Sequence, residues 1–262
     1  MLIAHESPIS IIEKVACRTD YCYALVHLFE THPAYYEFFK NSIHNHKEVL
    51  LDNSIFELGT AFDSGKFAEY VQDLSPSFYI VPDVLEDGYQ TISKFGEFRQ
   101  EYPNLPGLAI GVVQGTTYDE LCDCYRYMSD NADYIAISFD YSYYIATGRG
   151  TNKLQRWCDG RRRFIRSLVS DGIWDWDKPH HLLGASLPQE FKHYKDIDSI
   201  RSVDTSNPVV AGIKGLKYSG QLGLNTKPSI KLVDLIDHKV TDDEMEIINY
   251  NINRFRGIVH DS

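Results

Sequence analysis

Three aspartates, Asp52, Asp83 and Asp204, each close a short apolar run of the kind that forms a buried strand (VLLD, FYIVPD and IRSVD). Gln114 closes a fourth run, LAIGVVQ, with Gly115 directly behind it. A carboxylate is costly to bury without a partner, so carboxylates at the ends of apolar runs need a reason. Gathered at one mouth, they could stabilise positive charge that develops in a reacting substrate. One of them could act as a nucleophile, and another could pass a proton. Close carboxylates also raise one another's pKa, which suits acid–base work near neutral pH. Taken singly, each aspartate also reads as a helix cap or a loop organiser. Other polar groups close the remaining runs: His27, Asn53 and Ser54 beside Asp52, Ser138 and Asp140, Gly184 to Ser186, and Thr205 to Asn207.

Such residues converge only if the elements carrying them are parallel strands. Eight apolar runs rich in β-branched and aromatic residues begin near Leu2, Tyr23, Val49, Phe78, Leu108, Tyr134, His181 and Ile200. Amphipathic stretches lie between them. Helices are expected over Ala34–Ile43 behind Pro33, over Ser64–Leu74 with Ser64 as a cap, over Tyr118–Met128 and over Lys153–Val169, with a short one over Pro188–Tyr194. A last helix opens on the capping box Thr241 to Glu244, after which Met245, Ile248, Ile252 and Phe255 fall at helical spacing. Continuous apolar strands alternating with helices indicate an α/β fold whose parallel strands are buried on both faces. Eight of them predict a (β/α)8 TIM barrel, a single domain over 1–262, with a turn-rich segment at 216–240 before the last helix. An open doubly wound sheet is the alternative. However, Gly148 and Gly150 lack the third glycine of a dinucleotide fingerprint, and there is no phosphate-loop motif. In a TIM barrel the chemistry sits at the C-terminal strand ends, where the aspartates fall.

With 262 residues, 43% hydrophobic and 24% charged, the chain can bury one large core and is not a disordered sequence. No run approaches the length of a membrane helix. The start MLIAHESPIS lacks the basic end and apolar centre of a signal peptide. The five cysteines, at 17, 22, 122, 124 and 158, read as reduced thiols, so a cytoplasmic location is expected. The net charge of −11 is unevenly spread: residues 1–146 hold 8 Lys/Arg and 22 Asp/Glu, and residues 147–262 hold 18 and 15. The second half could therefore present a basic face to a phosphate backbone. Its densest stretch is Arg149, Lys153, Arg156, Arg161, Arg162, Arg163 and Arg166, with Asp159 as the one acid. A second group is Lys214, Lys217, Lys227 and Lys231. A solvated helix face is the plainer reading of such a run.

Other residues carry less. Cys122 and Cys124 sit two apart in an expected helix and so point to different faces, which makes a zinc site there a poor reading. His44 and His46, and His180 and His181, are read as loop or strand-start histidines rather than ligands. No metal and no cofactor is expected. Tyr141, Tyr143 and Tyr144 follow the sixth strand and are candidates to stack on a base or sugar.

Four segments carry a resemblance. The run GVVQG (Gly111 to Gly115) resembles the GIVQGG segment of the tRNA-guanine transglycosylases. LDNSIF (Leu51 to Phe56) is similar to that family's LTDSGGF, HLLGASLPQE (His181 to Glu190) to its YLMGVGTPED, and IRSVDTSNP (Ile200 to Pro208) falls where the family has MFDCVLPTR. Strand order and spacing agree over about residues 1–215. The family is a (β/α)8 barrel that exchanges guanine in a polynucleotide for a 7-deazaguanine base such as preQ0.

The resemblance implies that Asp204 is the nucleophile at the sugar C1′ and Asp52 the general acid and base. It implies that Asp83, Gln114 and Gly115 bind the base edge, with Asn53, Ser138 and Gly184 as further substrate contacts. Arg149, Lys153, Lys214 and Lys217 could hold phosphates of the nucleic acid. The sequence departs from the pattern in three places. Ile137 and Ser138 replace paired glycines in the sixth strand, and Ser54 and Ile55 replace a glycine pair after Asp52. The family's zinc cluster near the C-terminus is missing, since no cysteine follows Cys158. The last departure is similar to the branch of bacterial genomic islands and phages that acts on DNA, so DNA is favoured over tRNA. A free 7-deazaguanine base is the other partner expected. Three rival readings remain: an N-glycoside hydrolase on the same barrel, a non-catalytic nucleic-acid-binding subunit, and an unrelated barrel sugar enzyme.

Overall fold

Eight short strands alternate with helices along the chain. In order they are β1 (Leu2–His5), α1 (Ile12–Ala16), β2 (Cys22–Leu25), α2 (His27–Thr31), α3 (Pro33–His44), β3 (Val49–Asp52), α4 (Ile55–Leu58), α5 (Ser64–Leu74), β4 (Phe78–Ile80), α6 (Gly88–Glu101) and β5 (Leu108–Val113). There follow α7 (Tyr118–Asn131), β6 (Tyr134–Ile137), α8 (Ser142–Thr147), α9 (Lys153–Ser170), β7 (His180–Leu182), a 3-10 segment (Pro188–His193), β8 (Ile200–Thr205), α10 (Asn207–Ile213) and α11 (Asp242–Asp261). The computed structural model describes residues 1–139, 141–219, 223–224, 228 and 230–261. Asp140, Lys227 and parts of the 216–240 segment lie outside the described residues.

The strands join one sheet in the order β1-β8-β7-β6-β5-β4-β3-β2, and every pair whose register is described is parallel. This is the (β/α)8, or TIM-barrel, class of α/β fold. All eight strands start at or within a residue of the expected positions. Two compact units make up the chain. One comprises 21–138 and 177–181, and the other 1–20, 139–176 and 182–262.

The first of these units carries β2 to β6 and the start of β7. Its strands are buried along almost their whole length, as strands covered on both faces must be. Side chains alternate across β7. His181 stacks on Tyr23 of β2, with ring centroids 6.2 Å apart, while His180 stacks on Tyr125 of α7 at 5.8 Å and shares a 2.8 Å hydrogen bond with its hydroxyl. The helix starts follow the expected chemistry with one correction. Asp63, not Ser64, caps α5 by accepting from the Lys66 amide, which leaves Ser64 as its first helical residue. Asp87 and Thr117 cap α6 and α7 in the same way.

The other unit carries β1 and β8, paired from Leu2↔Ser202 to His5↔Thr205, together with α8 to α11. The Thr241–Glu244 capping box forms, with the Thr241 amide donating to the Glu244 carboxylate at 2.8 Å. Ile248 and Ile252 of α11 pack with Val209, Val210 and Ile213 of α10 and with Ile11 and Val15. Tyr141 and Tyr144 are buried, and Tyr143 packs edge-on against Phe164. Tyr143 and Tyr144 thus fasten α8 to Phe164 of α9, and Tyr141 packs on Tyr144.

The α8–α9 contact depends on Gly160. A Cβ there would stand 2.2 Å from the Tyr144 carbonyl oxygen and 2.5 Å from its Cα, both backbone atoms that cannot turn aside. In an exposed helix, Gly→Ala gains up to about 1 kcal/mol. Here Gly160→Ala is expected to reverse that sign and lower the unfolding free energy by roughly 2 kcal/mol, measured by urea titration.

Candidate functional site

The best-defined polar cluster lies at the C-terminal ends of β3, β4 and β5. Asp83 follows β4 and is 2% exposed. Its Oδ1 accepts the Asn53 Nδ2–H at 2.8 Å, and its Oδ2 accepts the Gln114 Nε2–H at 2.6 Å. Burial pushes the Asp83 carboxyl above its usual value, and the two amide donors pull against that shift. Each oxygen keeps further acceptor capacity. Asn53 is fully buried and doubly anchored: its Nδ2 also reaches the Val81 carbonyl and its Oδ1 accepts the Ile55 amide at 3.0 Å. Gln114 is fixed by the Glu86 amide, which donates to its Oε1 at 2.8 Å.

Asp52 ends β3 and is half-buried. The Ser54 amide donates to its Oδ1 and the Tyr23 hydroxyl to its Oδ2. Ser54 is fully buried and holds φ +61°, the left-handed region that favours glycine. A non-glycine residue held there costs free energy, which the surrounding contacts offset. Gly115 follows Gln114 and is buried against Glu120. Glu120 was not singled out from the sequence. It ties the β4 and β5 loops together, with Oε1 accepting the Gly88 amide at 2.8 Å and Oε2 the Thr116 amide at 2.9 Å. The acid three residues behind the cap Thr117 was the available signal. Ser138 follows β6, half-buried. Asp52, Asn53, Asp83, Gln114 and Gly115 are thus assembled within one unit.

Asp204 lies in the other unit, on β8, 5% exposed. Its Oδ1 accepts the Gly184 amide at 2.9 Å, and its own carbonyl accepts the Ala185 amide. Gly184 holds φ +63°, so the residue type serves the turn that aims this amide. The loop behind it is pinned by a buried chain of bonds. The Thr205 hydroxyl donates to the Ala185 carbonyl, the Asn207 side chain to the Ser186 carbonyl, and the Tyr218 hydroxyl to Asn207 Oδ1.

Part of the basic stretch is paired: four of its cations, Arg161, Arg162, Arg163 and Arg166, meet three carboxylates. Arg161 is fully buried in a two-pronged pair with Glu190, at 2.8 and 2.9 Å. Asp159 accepts from Arg162, Arg163 and the Arg149 amide, and these donors hold its carboxyl down at about 2 against the opposing effect of burial. Arg166 pairs with Asp196. A surface depression of about 430 Å³ is lined by Arg162, Arg163, Arg166, Ser167, Ser170 and Asp171. It belongs to the second half of α9, ~14 Å or more from the helix start at 1.5 Å per residue. Nearer the start, Lys153 lies over the Trp157 ring at 4.1 Å and Arg149 is exposed. Lys214 is exposed at the end of α10, and Lys217 covers the Tyr250 ring at 4.3 Å.

Fold and site together define a (β/α)8 protein with carboxylates at the ends of β3, β4 and β8. No model of a known protein family matches the chain, and no curated protein sequence matches it. Among the described residues no helix is long and apolar enough to cross a membrane.

Proposed function

We propose that the chain is a transglycosylase that exchanges guanine in a polynucleotide, DNA in preference to tRNA, for a 7-deazaguanine base such as preQ0. The observation that carries the reading is the buried Asp83 carboxylate, gripped by the side-chain amides of Gln114 and of Asn53, the residue next to Asp52. A carboxylate with spare acceptor capacity suits the N1–H and exocyclic N–H of a guanine-like edge, and a rigid amide frame suits discrimination between bases. The left-handed Ser54 adds support, since it stands where the resembling segment has a glycine.

In this reading Asp204 attacks C1′ and forms a glycosyl ester while the purine leaves. Asp52 protonates the departing base and takes a proton from the entering one, and the entering base then displaces Asp204. The Gly184 amide holds the Asp204 carboxylate in place. Exposed Arg149, Lys153, Lys214 and Lys217 supply cations for phosphates, and binding should weaken steeply with salt. In a duplex the target nucleotide has to be flipped out.

The test offers purified protein labelled guanine or labelled 7-deazaguanine with duplex DNA and, separately, tRNA. Label is expected in DNA, and Asp204→Ala is expected to reduce it by at least about 10³-fold. Label in neither polymer, or full exchange by Asp204→Ala, would defeat the reading. Release of base without incorporation would identify a hydrolase.

A further inference from the structure

We propose that Tyr23 is a positioning residue for Asp52, setting the aim and the protonation of its carboxylate through the phenolic hydroxyl. This rests on the reading of Asp52 as the acid–base group.

The register places the two side chains. Tyr23 pairs with Leu50 and Leu25 with Asp52, so Tyr23 and Asp52 are diagonal neighbours on one face of the β2–β3 ladder. A tyrosine is long enough to span that diagonal, and its hydroxyl donates to Oδ2. The ring cannot swing freely. It is 7% exposed and lies on the His181 ring at 6.2 Å and 21°, and the Tyr21 ring in turn meets His181 edge-on at 6.4 Å.

The two oxygens of Asp52 therefore have different donors. Oδ1 faces the Ser54 amide, a donor that cannot become an acceptor, on a buried backbone locked at φ +61°. Oδ2 faces a hydroxyl, which donates to a carboxylate and can turn to accept from a carboxylic acid. A group that must gain a proton from one base and lose it to another needs one face that serves both states, and Tyr23 supplies it on Oδ2. The donated bond also favours the ionised form, which the entering base requires. His181 is the titratable group stacked on the ring, and it keeps its place when only the hydroxyl is removed.

The experiment measures exchange by wild type and by Tyr23→Phe across the pH range, with melting curves for both. Phenylalanine keeps the ring on His181. The expected result is an unchanged KM for the polynucleotide, a kcat about tenfold lower, and an acidic limb of the kcat profile moved up by about one pH unit. A 3-fluorotyrosine at position 23, a stronger donor, should move the limb the opposite way, and it decides the matter if Tyr23→Phe does not fold. Wild-type kcat and limb in Tyr23→Phe overturn the proposal, as does a lower kcat with an unmoved limb, which is what a merely structural role gives. An inactive wild type defeats the functional reading and this proposal with it, whereas an active wild type indifferent to both substitutions defeats this proposal alone.

Discussion

Replacing Glu190 by Gln is expected to destabilise the protein by about 3–5 kcal/mol, the cost of leaving a buried guanidinium without its counter-charge. Arg161 is 0% exposed and Glu190 3%, so water cannot take over the lost bonds. The guanidinium is otherwise well used. Nη1 donates to the Leu183 carbonyl at 2.7 Å, and the plane lies 4.8 Å from the Phe139 ring centre. Burial pushes the arginine toward losing its proton, but Glu190 outweighs this and holds its pKa above the usual value. The Tyr194 hydroxyl donates to Glu190 at 2.7 Å and completes the acceptor.

Removing both charges should cost far less than removing one. The double variant Arg161→Met with Glu190→Leu is expected to be more stable than Glu190→Gln alone in guanidinium titrations. Equal stability of Glu190→Gln and wild type would show that the pair does not carry its charge in the folded state. The pair also bears on the site, because Leu183 precedes the Gly184 amide that holds Asp204. On the proposed function, Glu190→Gln should thus weaken exchange by misplacing that amide, even at temperatures where the protein stays folded.

Arg161 also shows where sequence reading ends. In the sequence it is one of seven cations between Arg149 and Arg166, and nothing local distinguishes it from Arg162 or Arg163. Its burial follows from the helical phase of α9, which aligns it with Trp157, Phe164 and Leu168, and from a glutamate 29 residues away. The strands were legible because apolar continuity is a local property, and eight runs alternating with amphipathic stretches admit few folds. Asp52, Asp83 and Gln114 were legible for the same reason, being polar residues that end such runs.

Helix α6 was not foreseen. Gly88, Thr91, Ser93 and Gly96 are weak helix formers, and only the buried phase of Thr91, Phe95 and Phe98 marks it. Tyr23 was hidden differently. A tyrosine in an apolar strand reads as core, and its bond to Asp52 depends on a register between strands that no local pattern specifies. Likewise, the fold class follows from the strand order, whereas the bonds that pin the loop behind Gly184 involve Thr205, Asn207 and Tyr218 across three segments.

Acidification is expected to unfold the protein early, with His5 as a principal cause. His5 ends β1, 6% exposed, and among the described residues neither ring nitrogen has a hydrogen-bond partner. Its ring meets Phe255 of α11 edge-on at 5.6 Å. Burial, reinforced by the Arg256 charge and opposed by Asp20, lowers its pKa from 6.5 to about 3. The unfolded chain therefore takes a proton at this position through a range in which the folded chain does not. Stability is fully present above the unfolded value and drains away as pH falls toward 3. From about pH 7.5 to about pH 4.5 the loss from this one group is roughly 3 kcal/mol. His5→Leu keeps an apolar side chain of similar size against Phe255 and removes the titration. In urea titrations across that range its stability should fall less steeply, by the equivalent of one proton, because His27 and His193, also shifted down by burial, still titrate. At neutral pH the variant should be at least as stable as wild type, since it removes two buried nitrogens that nothing satisfies. A slope identical to wild type would mean that His5 takes up its proton in the folded state, and hence that water or an anion reaches the end of β1.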